Sequence, residues 1–132
     1  MNYYGKFNIK SIYFLSRYAI LNECWRLIDD GILNVKDIDS VMSDGLGMRY
    51  AFLGPMETAH LNAEGFKNYC ERYGKTIHAV SETMGANPQY KGETMEKINK
   101  ELEEMTPISN LPKRRQFRDD SLTKLSQLKR DN

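Results

Sequence analysis

The chain has 132 residues, two fifths of them apolar, and a formal net charge of +1, which is enough for one domain with a modest core. A charge so near zero exerts no general pull on nucleic acid or on a membrane surface, although basic residues outnumber acidic ones from residue 106 onward. The cysteines, Cys24 and Cys70, sit inside helical patterns and do not make a disulfide framework, so a reduced, cytoplasmic setting is expected.

Residues 1–10, MNYYGKFNIK, show no helical period and read as a poorly ordered leader, with the domain proper spanning residues 11–132. The apolar run over residues 11–21 is interrupted by Arg17 and followed by Asn22 and Glu23, without a small-residue cleavage site. It therefore reads as neither signal peptide nor membrane span. From residue 13 to 28, Phe14, Tyr18, Leu21, Trp25 and Ile28 recur at steps of four and three, predicting an amphipathic helix that Gly31 ends.

Asn34 is a suitable N-cap for a short second helix, with Asp37 favouring its positive start and Val35, Ile38, Val41 and Met42 on its buried side. A glycine-interrupted turn at residues 43–47 is expected to stop it. A third helix is predicted from Pro55 and, after a weakness at residues 62–65, a long one through Phe66, Tyr69, Cys70, Tyr73, Ile77, Val80 and Met84, ended by Gly85 and Pro88. Met95, Ile98, Leu102 and Met105 predict another helix with a Glu/Lys-rich outer face. Pro107 and Pro112 frame a linker, and a last helix from Lys113 places Leu122, Leu125 and Leu128 on one side, with Phe117 nearby. No segment alternates with period two, so the fold class is all-α, a helical bundle.

Three stretches stand out by their order of residue types: YAILNECWRLIDDG (residues 18–31), DIDSVMSDGLGMRYAFLGP (37–55) and RRQFRDDSLTKLSQLK (114–129). Together they resemble the C-terminal domain of the 3-hydroxyacyl-CoA dehydrogenase family, at good density from Tyr18 to the end of the chain. The resemblance implies an NAD-dependent oxidoreductase whose N-terminal Rossmann domain holds the dinucleotide and carries an active-site serine, histidine and glutamate. Nothing of that kind is expected in this chain, and no cofactor is assigned to it: Gly45-x-Gly47 is followed by Tyr50 where a third glycine would stand, and no β-branched strand run precedes it. The family's remaining catalytic asparagine, in an Asn-Arg pair, would fall on Phe14 and its arginine on Leu15, so no catalytic residue is assigned. The resemblance further implies dimerisation through this domain, as a homodimer or with a full-length homologue, and a sugar-acid or 3-hydroxyacyl substrate in the whole enzyme.

Among candidate site residues, Arg49 lies in the motif GLGMRYAF. Its guanidinium suits a substrate carboxylate through two parallel hydrogen bonds, and a salt bridge to Asp44 or Glu57 is the competing role; the resemblance favours the ligand. His60 follows the Gly54-Pro55 stop and is a second candidate at a substrate cleft, against a packed helix histidine; His78 reads as a surface residue. Cys24, His60, Cys70 and His78 match no ligand spacing, so no metal is expected. Ser43-Asp44-Gly45 reads as a turn cap. The basic stretch Lys113, Arg114, Arg115 and Arg118 reads as a solvated helix start, without nucleic-acid or membrane binding. Two functions follow: the substrate-side and dimerisation domain of the dehydrogenase, inactive alone, or a shortened, non-catalytic dimerisation module that pairs with itself or the full-length enzyme.

Overall fold

The structure, a computed structural model, describes residues 9–131, which are all-α. Helix α1 (Ile9–Asp29) is followed by α2 (Val35–Val41), a π-helical turn (Met42–Leu46), α3 (Gly47–Tyr50), α4 (Pro55–Leu61), α5 (Phe66–Glu82), α6 (Glu93–Met105), a 3-10 turn (Ile108–Asn110) and α7 (Leu111–Arg130). The expected leader falls largely in residues 1–8, outside the described residues, but its last two positions belong to α1, which starts at Ile9, five residues before Phe14, the first periodic apolar position.

α1 ends as its glycine predicts. Gly31 takes φ +70, the Gly31 amide donates to the Ile28 carbonyl at 3.1 Å and the Ile32 amide to the Leu27 carbonyl at 2.9 Å, the paired bonds of a Schellman stop. Asn34 then caps α2, its Oδ1 accepting from the Asp37 amide at 2.8 Å. The corner so formed holds the buried core, Ile28, Val35 and Ile38, flanked by Cys24, Leu27, Leu33 and Ile98.

α6 closes this corner with one face, Thr94, Lys97, Ile98 and Glu101, spaced as helical neighbours. The Val35 amide, an orphan donor at the start of α2, gives its hydrogen to Glu101 Oε2 at 2.7 Å, and Lys97 Nζ donates to the Ile28 carbonyl in the last turn of α1 at 3.2 Å. Each charge sits at the helix end whose dipole it complements. Thr94 adds a hydrogen bond to Asp29. The Glu/Lys-rich face thus supplies two of the clasps of the core.

One expectation is corrected. The chain does not turn at residues 43–47 but stays helical through them: the Gly47 amide donates to the Met42 carbonyl, five residues back. A Cβ at position 47 would stand 2.6 Å from that carbonyl oxygen, so glycine is there for close approach and not for a left-handed angle. Ser43 accordingly caps nothing and donates to Asp44 at 3.3 Å. The apolar stripe of α5 is largely uncovered, with Ile77 48% and Val80 53% exposed, as are Phe14 and Tyr18 on α1 and Leu122 on α7. The chain leaves 11246 Å² accessible, where the scaling for a folded monomer of this mass gives roughly 7,000 Å².

Candidate functional site

Arg49 stands in the last turn of α3. Gly54, extended at φ −69 and ψ 168, and Pro55 at the first position of α4 turn the chain back beneath it. The next corner, between α4 and α5, is fixed by Gly65 at φ +95 and by His60, whose Nδ1 accepts from the Phe66 amide at 3.0 Å. His60 therefore satisfies an orphan donor at the start of α5. It does not line the hollows beside Arg49.

Two adjoining hollows share Arg49 and Asn62. One, of about 370 Å³, is completed by Tyr69 and Tyr73 from α5; the other, of about 240 Å³, by Leu53, Thr58 and Leu61. Arg49 makes no ion pair or hydrogen bond among the described residues, so the salt bridges weighed above, to Asp44 and to Glu57, are not formed. The Tyr69 and Tyr73 rings lie 5.0 Å apart, one turn apart on the helix, and Tyr69 also stacks on Phe66. Thr58 Oγ1 is buried without a hydrogen-bond partner. Asn62, Tyr69 and Tyr73 are the members that sequence reasoning missed, the tyrosines having been read only as positions of the long helix. A signal was present: phenols at i and i+4 carry a polar tip that a core position does not need.

The remaining sequence candidates lie apart. Gly45 and Gly47 are inside helical turns and not at a strand-to-helix junction, so they do not form the glycine turn that cradles a pyrophosphate. The residues of this chain do not fit a dinucleotide there. His78 is exposed and lies 3.4 Å from Glu82. Arg114 stacks over Phe117 at 4.7 Å and Arg118 pairs with Asp119 at 2.8 Å, both on the open surface of α7. Burial first, then the Asp39 carboxylate, pushes the Cys24 thiol above its ordinary value. Among the described residues no group of three or more His, Cys, Asp or Glu converges on a point, and no helix is long and apolar enough to cross a membrane.

Comparison with known proteins defines the class. The family model of the 3-hydroxyacyl-CoA dehydrogenase C-terminal domain matches residues 15–101. A lambda-crystallin homolog of Rattus norvegicus is 50% identical over 115 residues, 86% of this chain and 36% of the relative. Lambda-crystallin of Oryctolagus cuniculus is 48% identical over 116 residues, with the same shares covered. An L-carnitine dehydrogenase of Bacillus cereus is 30% identical over 112 residues, 83% of this chain and 34% of the relative. The chain belongs to the 3-hydroxyacyl-CoA dehydrogenase family and corresponds to its C-terminal domain. It spans little more than a third of the length of these relatives.

Proposed function

We propose that this chain is the substrate-side and dimerisation domain of an NAD-dependent, cytoplasmic oxidoreductase of the L-gulonate 3-dehydrogenase or 3-hydroxyacyl-CoA dehydrogenase type, and that it is inactive alone. The observation that carries the reading is Arg49: a guanidinium left without a protein partner at the meeting of two hollows, within the stretch that the family model matches. It holds the substrate carboxylate, while the dinucleotide and the proton acceptor belong to a nucleotide-binding domain. Hydride would pass from a secondary alcohol to NAD on that domain. The test is turnover with L-gulonate and NAD: none from the 132-residue chain, and, in a full-length homologue, a rise in KM from the arginine-to-glutamine change at the position of Arg49, with kcat less affected.

Dimerisation is supported by the surplus of exposed apolar surface. Tyr18, Ile77, Val80 and Leu122 are each about half exposed, and helical faces of that kind need a partner to be covered. The same observation favours the second reading, a non-catalytic module that pairs with itself or with the full-length enzyme. Sedimentation at micromolar concentration tests the shared claim, for which a dimer mass is expected and a monodisperse monomer would overturn it.

A further inference from the structure

We infer that Tyr90 is the bolt of a surface latch that sets the direction of α5: closed, residues 83–92 are clasped to α1, and open, α5 swings as an arm. Helix α5 packs along α4 and makes no extended contact with α1 or α6, and each of residues 75–87 is exposed. What holds its far end is the segment that follows it. Asn22, Trp25 and Arg26, on one face of α1, all reach that segment. Arg26, held by Glu23 at 2.8 Å, donates to the Gly85 and Ala86 carbonyls at 3.3 and 3.4 Å. The Tyr90 ring lies 4.6 Å from that of Trp25, and its hydroxyl donates to Asn22 Oδ1 at 2.9 Å.

These contacts make a latch and not a weld. Tyr90 sits at φ +54, a left-handed angle that a residue with a side chain occupies at a cost, so opening relieves strain as it gives up contacts. The contacts given up are solvent-exposed hydrogen bonds and one ring pair, and local openings of that kind lie well below global unfolding. Glycines at φ +95 and +79, Gly65 and Gly92, bound the arm and its connector and can absorb the change of angle. Because α5 is one uninterrupted helix, its direction at the latch is also its direction at Tyr69 and Tyr73, which line the larger hollow with Arg49. The latch governs the shape of that hollow whatever fills it.

Residual dipolar couplings of the 15N-labelled 132-residue chain, which report the direction and order of each helix, test this without a ligand. In the unmodified chain, α5 and the α1–α2–α6 corner are expected to share one alignment. Tyr90→Ala should lower the α5 couplings by about a third, as for a helix passing from rigid to mobile, while those of α1, α2 and α6 hold. Tyr90→Phe, which keeps the ring on Trp25, and Asn22→Ala should each lower them by less. The two combined should go no further than either alone, because they delete the same bond. Couplings of α5 unchanged in Tyr90→Ala would overturn the latch, and so would an α5 that does not share the corner's alignment in the unmodified chain. Couplings falling together in all four helices would make Tyr90 a residue of the general fold, and a combined variant that goes further than either single one would remove the Asn22 bond from the mechanism; both results would overturn the latch as described.

Discussion

The α1–α2–α6 corner and the Arg49 hollow are built from similar residue types and use them in opposite ways. At the corner, charges are consumed by the fold: Glu101 answers the first amide of α2, Lys97 the last turn of α1, and Arg26 reaches the Gly85 and Ala86 carbonyls at 3.3 and 3.4 Å while paired with Glu23. At the hollow, Arg49, Asn62 and two phenols are left unspent. Polar groups that close helix ends stabilise, whereas polar groups held open by a scaffold are available to a ligand.

The contrast predicts where substitutions hurt. Ile38→Ala should cost the most, about 2–4 kcal/mol, because it hollows one of the three buried side chains of a very small core; chemical denaturation would show the midpoint collapse. Glu101→Ala should cost roughly 1–3 kcal/mol by stranding the Val35 amide, and Glu101→Gln, which keeps an acceptor, should recover part of it. Gly47→Ala should cost about 1–3 kcal/mol through the clash with the Met42 carbonyl, read in the same assay. Arg49→Gln should change stability by no more than about 0.5 kcal/mol while abolishing carboxylate binding. A loss comparable to that of Glu101→Ala would make Arg49 a structural residue and erase the contrast.

A smaller effect lies in the thiols. Cys24 packs against the core and its pKa is raised, whereas Cys70 is exposed, so iodoacetamide should modify Cys70 first. The sign for stability follows from the raised value: the folded state favours the protonated Cys24, so its contribution is full below the ordinary value of 9.0 and is lost as pH climbs through the higher folded value. Cys24→Ser should flatten that alkaline decline.

Much of the fold was legible because its boundaries are chemical. Gly31, Asn34, Gly54-Pro55 and the residue 62–65 break each force or cap a helix end through local bonds, and such signals act within a few residues. What escaped depended on distance: Glu101 caps an amide 66 positions earlier, and its i, i+4 companionship with Lys97 reads the same as a solvated face. The π-helical turn escaped because glycine excused by a close carbonyl and glycine excused by a left-handed angle are written with one letter. Arg49 stood out through its motif, but Asn62, Tyr69 and Tyr73 join it only after two corners have been made.

The π-helical turn also sets a bearing. A turn of this kind carries one residue more than an α-helical turn, and one residue advances a helical face by about 100°. Without it, residues 35–50 would form a single regular helix and the guanidinium would leave the side occupied by Asn62 and the α5 phenols. Removing a single residue from the 42–46 segment would thus be expected to re-aim Arg49 while sparing both the helix and the core at its base, making this short stretch a compass for the site.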